Sequence, residues 1–151
     1  MVALGLASCG HAPHPAAGGE AAPRIKLAVL PAESDQFPAA AKAATASMTR
    51  AKIGGVDETS VSKVSLEVVQ LSIECTDPTA SCYAAIGKSL AANRLLFAEI
   101  TAGDKPGQLK VSITLFDVDT QVTTHTAERV FTKEADALDG AAQLVAEATR
   151  P

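Results

Sequence analysis

From residue 25 onward the apolar positions fall into short blocks, and the blocks differ in period. Residues 25–33, IKLAVLPAE, set Ile25, Leu27 and Val29 against Lys26, Ala28 and Leu30 before Pro31 ends the run. An apolar pattern on both sides reads as a largely buried strand. Residues 34–52 change to steps of three and four, with Phe37, Ala41, Ala44, Met48 and Ala51 on one stripe. That spacing predicts a helix. Ser34 or Asp35 can cap it, Pro38 is tolerated in its first turn, and Gly54-Gly55 stops it.

Residues 60–75, SVSKVSLEVVQLSIEC, combine strand-favouring valines with polar residues at a helical spacing. Lys63, Glu67, Gln70 and Glu74 recur at steps of four, three and four, which share one stripe at 100° per residue. A helix sorts these residues better than a strand and is the expectation here. CTDPTASC follows as a turn, and a further helix runs through Ala92 with Cys82, Ile86 and Leu90 along its face. Three strands come next: residues 94–102, residues 108–119 and the Thr-rich residues 122–131. In the second, Leu109, Val111, Ile113 and Leu115 point inward against Lys110, Ser112 and Thr114. The third is polar on both faces and reads as an edge, with Thr124, His125 and Thr126 as its possible contact. Residues 135–149 close the chain as a helix whose Leu138, Ala141, Ala142, Val145 and Ala148 face the sheet.

The expected fold is α+β, an α/β sandwich. It has a small mixed β-sheet of about four strands packed with three to four helices, preceded by a disordered tether. The chain has 151 residues, 47% of them hydrophobic, with a net charge of −4, which fits one mildly acidic domain with no basic footprint for nucleic acid. It has no tryptophan, four Phe and one Tyr, so base or sugar stacking has little to work with. No apolar run is long enough to cross a membrane as a helix.

Candidate chemistry is thin. No glycine-rich phosphate loop, nucleophile elbow or metal-spaced His/Glu set is present, and no enzyme, metal or cofactor is expected. His125 reads as a cross-strand residue, and Asp117 and Asp119 as hairpin-flanking aspartates. His11 and His14 read as solvated linker residues. The three cysteines are Cys9, Cys75 and Cys82, an odd count that leaves one thiol to explain. The spacing of Cys75 and Cys82 matches neither a zinc site nor a C-x-x-C redox pair. In an exported protein they form a structural disulfide; in a reducing compartment they are small buried hydrophobes.

Leu6-Ala7-Ser8-Cys9 resembles the lipobox of bacterial lipoproteins, which implies lipidation of Cys9. Only eight residues precede it and none is Lys or Arg, so residues 1–8 read as a truncated signal-like segment. Residues 9–24 then form the lipobox cysteine and a linker of Pro, Gly and Ala that cannot bury enough surface to fold. Its fifteen residues after Cys9 would span roughly 20 Å. Residues 25–151 form the domain.

Three stretches resemble the TolB amino-terminal-domain family and its lipoprotein relatives LpoB, PelC and CsgG. They are IKLAVLPAE, IGKSLAANRLLFAEITA and LKVSITLFDVDTQ. Ala92-Asn93 replaces the family's Ala-Asp corner, and a strand between the first two helices is short or absent around Ile53–Val56. The resemblance implies a non-enzymatic, periplasmic, outer-membrane-anchored protein that docks on or regulates another envelope component. The alternatives are an oligomeric subunit of an envelope or secretion assembly and, less favoured, a small hydrolase or ligand-binding domain. The partners implied are an envelope protein, the membrane through the lipid anchor, and further copies of the chain.

Overall fold

A computed structural model of the chain describes residues 22–151; the lipobox stretch with Cys9 and most of the linker lie outside the described residues. The elements are β1 (Lys26–Val29), α1 (Pro38–Arg50), β2 (Glu58–Val61), α2 (Leu66–Ser72), α3 (Ala80–Ser89), β3 (Arg94–Ala102), β4 (Leu109–Asp117), β5 (Val122–Phe131) and α4 (Glu134–Ala148). They build one mixed sheet in the order β2-β1-β3-β4-β5. β1 is parallel to both neighbours, and the β3-β4-β5 meander is antiparallel. The fold is thus the α+β sandwich expected, with five strands in place of about four.

Topology assigns the helices to faces. The step from β1 to β2 travels one way along the sheet, and the step from β2 to β3 travels back across β1. Right-handed crossovers therefore put α1 on one face and the α2–α3 pair on the other. α4 returns from β5 to lie beside α1. One core layer holds Leu27, Val29, Leu96, Val111, Ile113 and Phe131 against α1 and α4. The other holds Ala28, Leu30, Leu95, Phe97 and Phe116 against α2 and α3. β1 is buried on both faces, as its two-sided apolar pattern requires, and lies between β2 and the central strand β3.

The extra strand corrects the reading of residues 60–75. Only Leu66–Ser72 is helical, and Glu58–Val61 pairs with β1 in the register Lys26↔Glu58 to Val29↔Val61. The N–H groups of Asp57 and Ser62 donate to the carbonyls of Ile25 and Val29, each at 2.8 Å. All four β2 residues are exposed, so no inward apolar position marks the strand. Of the polar stripe, Lys63 precedes α2. Glu74 follows it in the left-handed region at φ 56°.

Two further corrections concern the helical layer. Neither Ser34 nor Asp35 caps α1. Phe37 is its N-cap residue, without a side-chain bond, and the first-turn N–H groups of Ala39 and Ala40 donate instead to Glu134 Oε1 of α4 at 2.8 and 3.0 Å. A carboxylate at a helix N-terminus is favoured by both the free N–H groups and the macrodipole. α4 is also rotated from the expected face. Ala137, Ala141, Leu144, Val145 and Ala148 are buried, while Leu138 is 42% exposed and Ala142 faces out. Packing against α1 as well as the sheet selects this face.

Candidate docking surface

β5 is the outer strand of the meander, so the backbone groups on its outer side have no ladder partner within the sheet. Its register with β4 runs from Leu109↔Phe131 to Leu115↔His125, then shifts to Phe116↔Thr123. Thr124 is the extra residue of a bulge, a device that twists an edge and re-aims its side chains. Thr126 lies opposite Thr114, with the hydroxyls 3.4 Å apart. His125 lies opposite Leu115 on the helix-covered side, and its Nδ1 is buried with no partner among the described residues. The three edge residues named from sequence thus share a backbone edge and do not form one side-chain cluster. Val122 and Val130, 55% and 51% exposed, flank them.

Among the described residues, the second face of the sheet is only half covered. Tyr83 of α3 marks the boundary, its ring 5.0 Å from Phe97 and 5.4 Å from Phe116. Beyond it, Glu99, Thr101, Lys110, Ser112 and Glu128 line an open groove of about 170 Å³. Burial raises the Glu99 carboxyl above the usual range, the Glu67 carboxylate adds to the rise, and Lys110 opposes it. Tyr83 is raised as well, by burial and then by Glu99. Lys110 pairs with Glu128 across the strands at 3.4 Å. The outward alternation of Lys110, Ser112 and Thr114 signals this face in sequence; nothing marks Glu99, at the start of the exposed half of β3, or Tyr83 of α3.

Cys75 and Cys82 are joined by a disulfide, with Cα atoms 5.6 Å apart. Cys75 directly follows the left-handed residue that ends α2. Cys82 sits in the first turn of α3, where its N–H donates to the Thr79 cap at 3.2 Å. The bridge therefore fixes the end of one helix to the start of the next. It matters to α2, which buries only Leu66 and Val69 and leaves Val68 and Leu71 outward at 43% and 69% exposure.

As chemistry, these features do not converge. The Asp117 carboxylate accepts from the N–H and hydroxyl of Thr120 at 2.8 and 2.9 Å and pairs with Arg94. It closes its own hairpin. Among the described residues, no three His, Cys, Asp or Glu side chains gather where they could hold a metal ion. No described helix is long and apolar enough to cross a membrane.

What these observations define is an open-edged α+β sandwich with a half-covered sheet. No protein-family model matches the chain, and neither does any curated protein. Among solved structures it is similar to the PelC dodecamer of Paraburkholderia phytofirmans. A leucine-to-methionine variant of that protein is 17% identical with a TM-score of 0.44, over 83% of this chain and 85% of the other. A second crystal form is 14% identical with a TM-score of 0.44, over 84% and 88%. The LpoB C-terminal domain from Salmonella enterica is 13% identical with a TM-score of 0.43, over 71% and 82%. Likeness at this level carries nothing about this chain's partner, assembly or location.

Proposed function

We propose that the chain is a non-enzymatic docking protein of the bacterial envelope, tethered to the outer membrane by lipid on Cys9, with the outer edge of β5 as its contact. The observation that carries the reading is that edge: ten residues long, without a strand neighbour among the described residues, bulged at Thr124 and bearing half-exposed Val122 and Val130. An unpaired strand of this length is a template for an added strand from a partner. The Cys75–Cys82 bridge supports an oxidising compartment, since structural disulfides persist outside the cytoplasm. The test has two arms. Cys9→Ala should move the protein from the membrane to the soluble fraction; equal partitioning of both forms sinks the anchor. Crosslinking from envelope fractions through a photoreactive residue at Thr124 should trap a partner that Thr126→Pro abolishes. Trapping unaffected by the proline sinks the edge.

A second reading, an oligomeric subunit, rests on strand direction. β2 and β5 are the two free edges, and both run parallel to β1 and β3. β5 of one copy can therefore meet β2 of the next in a head-to-tail parallel pair, the contact type that closes rings. Sizing in detergent separates the two readings.

A further inference from the structure

The strand starts and helix ends of this fold collect cations at one end of the domain. The C-terminal end of α1 and that of α4 share a groove of about 290 Å³ whose lining includes Arg50, Lys52, Val145 and Thr149. Arg150 follows Thr149 directly. α3 ends at the same pole: after its last turn, with Lys88, Asn93 bonds to the Lys26 backbone at the start of β1. Arg24 lies just before that start. Arg24, Arg50, Lys52, Lys88 and Arg150 are all exposed and without an ion pair among the described residues.

The acids at this end are already engaged. Glu58 pairs with Lys26 and Asp117 with Arg94; Asp57 accepts from the Ile25 N–H, and Asp119 from the Asn93 amide. Seven cations thus stand against four acids, on a chain whose net charge is −4. The partial negative charge of three helix C-termini tempers the excess. The opposite end carries both signs, with Glu33, Asp35, Asp104, Glu134 and Asp136 set among Lys42, Lys105 and Lys133, the last paired with Asp136. The unpaired cations therefore gather at one end of the domain, and the chain that precedes Ile25 leaves from that end.

We infer that this positive end is a docking surface for the anionic headgroups of a phospholipid membrane, and that it holds the domain upright with its opposite end outward. Two observations favour a membrane over an acidic protein. The cations are spread across a whole end of the domain instead of focused in one cleft, and that end is where the tether enters. The orientation rests on the proposed anchor; the attraction to headgroups does not. Each Lys or Arg close to an anionic surface strengthens binding roughly five-fold, and salt weakens the effect within a Debye length.

The test uses the full chain carrying Cys9→Ser, which cannot be lipidated, and sedimentation with vesicles. The vesicles are equal parts phosphatidylglycerol and phosphatidylcholine, or phosphatidylcholine alone. The chain should bind the anionic vesicles at low salt, release at high salt and ignore the neutral ones. Arg50→Glu with Lys52→Glu should weaken binding by more than about 25-fold. Lys42→Glu with Lys105→Glu makes the same change in net charge away from the pole and should leave binding intact. A thermal melt of each variant confirms folding. Equal loss in both double variants overturns the inference, as does full binding by the Arg50/Lys52 variant. Failure of the parent chain to bind vesicles while it binds polyglutamate also overturns it and points to an acidic protein. Vesicle binding by a chain that proves unlipidated in cells removes the anchor and keeps the pole.

Discussion

Reduction of the Cys75–Cys82 bridge should loosen α2 before the rest of the domain. The bridge closes a short loop, with a sequence separation of 7. Removing it restores about 2.5 kcal/mol of chain entropy to the unfolded state in the loop-closure model. α2 has little else to hold it, since Leu71 and Val68 point to solvent. The two sulfurs are unequal: Cys82 is 4% exposed and packs with Ile86 and Phe97 in the second core layer, whereas Cys75 is only half-buried. Cys82→Ser therefore loses the bridge and also places a hydroxyl in that layer. It should be less stable than Cys75→Ser by up to about 1 kcal/mol, the Cys75 carbonyl, 2.9 Å from the Cys82 sulfur, being within reach of the new hydroxyl. Urea unfolding with and without reductant measures the main effect, a midpoint lower by about 1–2 M at the slopes usual for a domain of this size. Hydrogen exchange over residues 66–72 should quicken first. An unchanged midpoint on reduction, or equal stability of the two serine variants, would mean that the bridge does not hold α2 in this way.

Three other perturbations test the packing and the charges. A Cβ at Gly87 would overlap Cγ2 of Val118 and lie 2.8 Å from its Cγ1; overpacking of about 1–3 kcal/mol should outweigh the roughly 1 kcal/mol gained in helix propensity. Gly87→Ala should thus lower the melting temperature, and Val118→Ala in the same chain should restore most of it. Glu134→Ala frees two first-turn donors of α1 and should cost about 1–2 kcal/mol, with Glu134→Gln losing less; equal melts for all three forms would remove the cross-helix cap. Asp117 is held below the usual carboxylate range: burial works the other way, and the Thr120 bonds and Arg94 outweigh it. Its contribution is present above the unfolded value of about 3.9 and disappears as pH falls through the lower folded value. Glu99 has the opposite sign, because a raised folded value makes its charge a penalty above that value and relieves it in acid. Melts against pH should show Asp117→Asn less stable and Glu99→Gln more stable near neutrality, with both differences fading in acid.

The parts of the fold legible in the sequence are those whose pattern matches their burial. β4 carries clean alternation, β3 an apolar run that is buried on both faces in its first half, and β5 the polar pattern of an edge, and each stands where its pattern puts it. The turn between α2 and α3 is marked by its own residues. β2 is hidden because a parallel edge strand with four exposed residues has no inward face to alternate. Its neighbouring polar stripe also extends the apparent helix backward. The burial of Leu144 in place of Leu138 depends on how α4 meets α1, a tertiary choice that period alone leaves open. The cap of α1 by Glu134 joins residues more than ninety positions apart, beyond any local signal.

The candidate surfaces divide in the same way. Threonine and a polar pattern on both sides mark β5 as an edge from sequence, and the bulge at Thr124 adds a geometry that only pairing reveals. The cationic end is invisible along the chain, because Arg24, Arg50, Lys88 and Arg150 are dispersed. They meet because three helices end where the sheet's first strand begins. The two surfaces also do not compete. β5 begins at the cationic end with Val122 and rises for ten residues toward the opposite end, about 33 Å of strand. With the positive end on headgroups, that edge stands roughly normal to the membrane. Its unpaired backbone then faces sideways, where a partner's strand or the β2 edge of a neighbouring copy can reach it without displacing the domain from the lipid.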